Sequence, residues 1–242
     1  MLDTSLLAKN RDETIAVRQF VEGVLKSAEM GGISVIIDVF RASNTILALV
    51  DAGARVTPVE TIGEAMLFPD HIKVGEKDGK KYQLFDFDNS PVAIDKQKEL
   101  FAGKKVVVRS TNGTKGIVNA LGSEAILITT FRNLSSTVDY CLQKYDAGYP
   151  ISFIAMGSRG RPRIEDVYCA KMCYYEILEK IDPEDKSLKS MDNPWNGNWI
   201  QDIKDKRFNT DDHRKIDWEY ALVLNTTNTV LLFNQVTFEI GK

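Results

Sequence analysis

ISVIIDVF, residues 33–40, decides the fold. It is a continuous apolar run rich in β-branched residues, the pattern of a strand covered on both faces. Strands of that kind belong to parallel sheets with helices above and below. Upstream, residues 12–29 place Ile15, Phe20, Val21, Val24, Leu25 and Ala28 at roughly helical spacing, ending at Gly31-Gly32. That spacing predicts a helix. Downstream, residues 42–51 read as a helix and ARVTPVE as a strand. A short helix near 63–68 leads to strand HIKVGE and a Gly-, Asp- and Pro-rich loop over 77–91. Helix 94–101, strand KKVVVRS, helix 114–121, strand EAILIT, helix 134–145, strand PISFIAM and a long helix from about 164 to 180 follow.

This alternation predicts an α/β fold with three α/β/α layers around a mainly parallel central sheet, a mixed sheet being left open. Residues 182–214 interrupt it with a polar stretch holding Pro183, Pro194, WNGNW and KDKR. We read them as an insertion, a lid or an oligomer contact, within a single domain spanning 1–242. TNTVLLFN and QVTFEI close the chain as one or two edge strands.

The 242 residues include 31 Lys plus Arg against 34 Asp plus Glu, with 43% hydrophobic and 27% charged residues. These are ordinary globular proportions and argue against disorder, a coiled coil or a disulfide scaffold. A net charge of −3 argues against binding nucleic acid through bulk charge. No apolar run is long enough to cross a bilayer, so no membrane partner is expected. Cys141, Cys169 and Cys173 read as buried reduced thiols, and with them a cytoplasmic location is expected.

In open α/β sheets ligands sit outside the carboxyl ends of strands. The first buried strand delivers Asp38 there, followed by Arg41 and Ser43. HIKVGE delivers Glu76 and Lys77. KKVVVR delivers Arg109 and the turn Ser110-Thr111-Asn112-Gly113-Thr114, whose N–H groups and hydroxyls suit an anion. ISFIAM delivers Ser158, Arg159, Arg161 and Arg163, then Glu165 and Asp166 on the first turn of a helix. Each segment also has a plain structural reading: a helix-capping Asp38 paired with Arg41, an Asn-Gly turn, a solvated Arg run, acids placed by the helix dipole. Their recurrence at four strand ends favours a site. The chemistry they suit is metal-assisted transfer at a phosphate: carboxylates Asp38, Glu76, Glu165 and Asp166 for Mg²⁺, and Arg41, Arg109, Arg159 and the turn for developing charge. Neither His71 nor His213 falls at a strand end, and both read as structural or surface residues.

DVFRASNTI (38–46), VGEKDG (74–79), FDFDNSP (85–91), STNGTKGI (110–117) and MGSRGRPRIEDVYCAK (156–171) together resemble the 2-phosphosulfolactate phosphatase family. The resemblance runs from about residue 33 to the C-terminus. It implies a Mg²⁺-dependent phosphatase that hydrolyses (2R)-2-phospho-3-sulfolactate to 3-sulfolactate and phosphate, a step of coenzyme M biosynthesis, with a homodimer as the family-level expectation. Within these blocks the chemistry of the side chains makes Asp38 and Arg41 catalytic candidates. Ser43, Asn89, Ser90, Thr111, Asn112, Gly113, Thr114, Ser158 and Arg159 are candidates for binding a small anionic phosphorylated substrate. The chain departs from the family's common residues at Ser43-Asn44, Lys77, Arg109 and Ser158-Arg159, so the reaction class is better supported than the native substrate. Two rivals stand beside it: a haloacid-dehalogenase-type phosphatase using Asp86 of Asp86-Phe87-Asp88-Asn89-Ser90, and a non-catalytic anion-binding domain.

Overall fold

The computed structural model describes residues 14–208 and 214–242. Its elements are β1 Ile15–Gln19, α1 Phe20–Glu29, β2 Ile33–Ile37, α2 Asn44–Asp51, β3 Arg55–Val59, α3 Ile62–Met66, β4 Ile72–Lys77, β5 Lys80–Lys81, α4 Pro91–Asp95, β6 Lys105–Arg109, α5 Gly113–Asn119, β7 Ala125–Thr129, α6 Leu134–Asp146, β8 Ile151–Ala155, α7 Ile164–Ile181, α8 Trp199–Arg207, α9 Lys215–Ala221, β9 Leu231–Asn234 and β10 Glu239–Gly241. They form a mixed, mainly parallel ten-stranded sheet between helical layers, ordered β1-β8-β2-β7-β9-β10-β3-β6-β4-β5.

Strand β2 lies between β7 and β8, parallel to both, and all five of its residues are buried. Ile33, Val35 and Ile37 enter the core shared with α6 and α7, while Ile36 enters the core on the other face. That division is the strand's period of two. Close approach of β4 to β6 depends on Gly75, whose φ is +147° and where a Cβ would sit 2.0 Å from the Arg109 carbonyl oxygen. Glu76 follows directly and is thereby placed beside the end of β6.

Two expectations are corrected. The helix expected over 12–29 begins only at Phe20; Ile15–Gln19 is a strand paired in parallel with β8, and residues 12 and 13 lie outside the described ones. Ile15, Ala16 and Val17 are apolar in succession, and pairing with the β8 edge buries all three, which local helical spacing could not register. The C-terminal strands are not at an edge: β9 and β10 form an antiparallel hairpin between β7 and β3, splicing two parallel blocks.

The splice has a geometric consequence. Three antiparallel steps make the β3-β6-β4 block run opposite to the β2-β7 block, so in a flat sheet their carboxyl ends would lie on opposite edges. Twist of about 20–25° at each of the steps from β2 to β6 turns the second block through more than a right angle. The segments after β2, β4, β6 and β8 thereby reach one cavity.

The 182–214 insertion is packed rather than peripheral among its described residues. Trp199 and Ile203 are buried, Trp199 stacks on Phe131, and the buried Lys171 pairs with Asp192.

Candidate active site

The cavity measures about 280 Å³. Asp38 leaves the end of β2 into it and is 7% exposed. A wide helical turn, Val39–Ser43, separates β2 from α2, and the Ser43 hydroxyl accepts the Asp38 backbone N–H at 3.1 Å. Burial raises the Asp38 carboxyl from 3.8 to about 7. Backbone N–H groups of Gly113 and Ala42 oppose that rise, and the charges of Glu76 and Glu165 add to it. Gly113 permits the contact: a Cβ there would lie 2.7 Å from the Ala42 Cβ and 2.8 Å from Asp38 Oδ2.

Asp166, buried at the start of α7, ties two neighbouring strand ends together. Its Oδ1 accepts the Val39 N–H at 2.8 Å and its Oδ2 the Gly157 N–H at 2.9 Å. Burial, then the charges of Glu165 and Asp38, push this carboxyl well above its ordinary range. Glu165 is equally buried; burial raises it too, and Arg207 opposes. Its Oε1 pairs with Arg207 at 3.2 Å, and its Oε2 has no hydrogen-bond partner among the described residues. Glu76 is fully engaged: Oε1 accepts the Thr111 N–H and hydroxyl, each at 2.7 Å, and Oε2 accepts the Gly79 N–H at 2.6 Å.

Arg41 is almost completely buried, with Nη1 3.0 Å from Asp217 and 3.3 Å from Asp88. Asp217, on α9, also accepts the Ser90 hydroxyl at 2.7 Å. Beneath this network the rings of Phe40 and Trp218 stack with centroids 3.6 Å apart. Arg207 of the insertion lines the cavity, and α9 backs its wall by holding Arg41 and Phe40.

Of the residues singled out from sequence, Asp38, Arg41, Glu76, Asn89, Thr111, Asn112, Ser158, Arg159, Glu165 and Asp166 line this cavity. Ser43, Ser90, Gly113 and Thr114 do not; they support those that do. Ser90 caps α4 through the Ala93 N–H, and Thr114 exchanges hydrogen bonds with Ser110. The 111–114 turn is less open to an anion than its sequence suggests, because the N–H groups of Thr111, Gly113 and Thr114 already serve Glu76, Asp38 and Ser110. Arg109 points to the carbonyls of Glu60 and Glu76 instead. Asp86 accepts the Lys73 N–H outside the cavity wall, which removes support from its role as a nucleophile. His213 lies outside the described residues.

Sequence reasoning misses Asp217, Arg207 and Arg214, and it gives Arg163 no role of its own. All but Asp217 line the cavity. The available signal is Trp218, a large aromatic in a polar stretch, which marks a segment docked on the core with Asp217 beside it.

A hard divalent cation fits this donor set. Among the described residues no three His, Cys, Asp or Glu side chains form a ready cage. Mg²⁺ ordinarily takes one or two carboxylates and completes its shell with water and substrate phosphate. Asp38 and Glu165 supply such a pair: one carboxyl held at about 7 by burial, the other with a buried oxygen lacking a partner. Asp166 and Glu76 have every oxygen engaged by N–H or O–H donors.

The chain is similar to curated proteins that each carry the name "Probable 2-phosphosulfolactate phosphatase". The protein from Caldicellulosiruptor saccharolyticus is 29% identical over 214 residues, covering 84% of this chain and 81% of that protein. Those from Thermotoga petrophila and Thermotoga maritima are 37% and 36% identical over 140 residues, covering 57% of this chain and 59% of each relative. The model of the 2-phosphosulpholactate phosphatase family matches residues 20–235, which include every cavity-lining residue. With buried acids and arginines meeting in that matched region, the chain belongs to the 2-phosphosulpholactate phosphatase family, a family of phosphoric monoester hydrolases.

Proposed function

We propose that this chain is a Mg²⁺-dependent phosphatase that hydrolyses (2R)-2-phospho-3-sulfolactate, or a closely related 2-phospho-hydroxy acid, to the hydroxy acid and phosphate. In a cell that makes coenzyme M the reaction serves that biosynthesis in the cytoplasm. The observation that carries the reading is Asp38, a carboxyl raised to about 7 by burial in a cavity that also holds Glu76, Glu165, Asp166 and Arg41. Like charges gather under such burial when a cation and a phosphate are to be bound between them.

When bound through Asp38 and Glu165, Mg²⁺ supplies Lewis-acid charge to the phosphoryl oxygens. Arg41, held in place by Asp217 and Asp88, meets the negative charge that builds on the phosphoryl group. Asp166 fixes the backbone at Val39 and Gly157, and so the direction in which Asp38 leaves β2. Two routes use Asp38, and in both the P–O bond to the hydroxy acid breaks and its departing oxygen takes up a proton. In one, Asp38 Oδ attacks phosphorus, the departing oxygen is protonated by water, and the resulting hydroxide hydrolyses the aspartyl phosphate. In the other, Asp38 takes the proton of an attacking water and passes it to the departing oxygen.

Phosphate release is the test, measured with and without Mg²⁺ across phosphosulfolactate, phospholactate, phosphoglycolate and phenyl phosphate. Mg²⁺-dependent selectivity for phosphosulfolactate is the expected result. Turnover of the other phospho-acids alone would move the substrate, and binding without release of phosphate from any of them would replace the phosphatase reading with a binding domain.

A further inference from the structure

Arg163 and Arg207 have no part in the chemistry above, yet both line its cavity. They come from separate elements. Arg163 is the residue before α7, and Arg207 ends α8 in the insertion. Arg163 is half-buried; its backbone carbonyl accepts the Val167 N–H, and its guanidinium forms no hydrogen bond or ion pair among the described residues. Arg207 pairs with Glu165 through one nitrogen, its guanidinium lies 5.3 Å from the centre of the Trp218 ring, and its buried Nε has no partner among the described residues. An unpaired guanidinium beside a second one costs free energy in the empty site, and an anion between them removes that cost. Arg159 is a weaker candidate, being about two-thirds exposed at the rim and paired with Asp78.

We propose that Arg163 and Arg207 form a second anion subsite that takes the non-phosphate oxyanion of the substrate, carboxylate or sulfonate, while Arg41 faces the phosphate. This rests on the phosphatase reading. A guanidinium presents five N–H donors in a fixed fork, so Arg207 can hold Glu165 and a ligand oxyanion together. The insertion then acts as a specificity element: it carries one half of the subsite to the cavity, and chains that differ there would read a different second group.

The test pairs turnover with binding, using the full chain in Mg²⁺. The ratio of kcat/KM for phosphosulfolactate to that for phenyl phosphate, which has no second anion, is measured for wild type, Arg163→Gln and Arg207→Gln. Losing one charge-assisted hydrogen bond lowers that ratio by about tenfold or more. An unchanged ratio in both variants, whatever happens to absolute rates, overturns the subsite. Calorimetry with 3-sulfolactate and lactate reads the subsite without turnover. Weakened 3-sulfolactate binding in Arg163→Gln supports it, and equal weakening of lactate identifies the carboxylate as the group held. Undiminished binding of both overturns it. The Arg163 guanidinium has no hydrogen bond or ion pair to lose among the described residues, so its variant keeps the test available if Arg207→Gln misfolds. A wild type that binds 3-sulfolactate through Arg163 but releases no phosphate would sink the phosphatase reading and leave the subsite standing.

Discussion

Replacing Asp38 by asparagine should stabilise the metal-free protein above neutral pH while abolishing turnover. Raising a carboxyl from 3.8 to about 7 corresponds to about 4 kcal/mol of differential stability. The sign follows from linkage. The folded state binds the Asp38 proton more tightly than the unfolded chain does, so its contribution is complete below pH 4 and is lost as pH rises to about 7. The amide side chain of Asp38→Asn carries no charge and escapes that loss. It offers one acceptor oxygen to the Gly113 and Ala42 N–H groups instead of two, which costs about 1–2 kcal/mol. The net gain at pH 8 is then about 2–3 kcal/mol, or roughly 5–10 °C in Tm for a domain of this size. Thermal unfolding of both proteins in EDTA between pH 4.5 and 8 measures it. The Tm difference should grow with pH, and adding Mg²⁺ at pH 8 should narrow it by stabilising the wild type alone. A difference that stays flat from pH 4.5 to 8, or an Asp38→Asn variant less stable than wild type at pH 8, would refute the reasoning.

Three further outcomes are expected. Asp217→Ala removes one partner of the buried Arg41 pair and should cost about 3 kcal/mol by urea denaturation; kcat/KM should fall with it, and wild-type values for both would remove Asp217 from the site. Gly113→Ala brings a methyl within 2.8 Å of Asp38 Oδ2, and the overpacking should cost about 1–3 kcal/mol. It should lower kcat more than it raises KM, whereas full activity would show that Asp38 is not held against the turn. Asp86→Asn should leave phosphate release near wild type, because among the described residues the Asp86 carboxylate accepts only the Lys73 N–H; loss of activity would restore the rival that makes it the nucleophile.

The residues that meet in the cavity are largely legible in the sequence because they sit at chain positions with a general meaning. A polar residue at or just past the end of a buried apolar strand opens onto the strand's end: Asp38 directly follows β2, Glu76 is the last residue but one of β4, and Ser158 comes three residues after β8. What each one does there is less legible. Gly113, Ser43 and Thr114 read as binders in the sequence and instead hold Asp38 or the turn. Whether an N–H is free for a ligand depends on which carboxylate lies across from it, and that is settled by residues far away in the chain. Strand β1 is hidden for a similar reason: a short apolar segment next to a helix becomes a strand only if a sheet edge is there to pair with it.

By itself, the sequence determined the alternation of strands and helices, the two-faced burial of β2, and the set of acids and arginines at strand ends, because these depend on hydrophobic period and on neighbours a few residues apart. Tertiary structure alone decided that β9 and β10 splice two oppositely running blocks, that twist brings their ends together, that Asp217 arrives from α9 to hold Arg41, and that Arg207 arrives from the insertion to complete the wall. Those contacts join residues up to 176 positions apart. Their geometry comes from sheet pairing and packing, which no local pattern encodes.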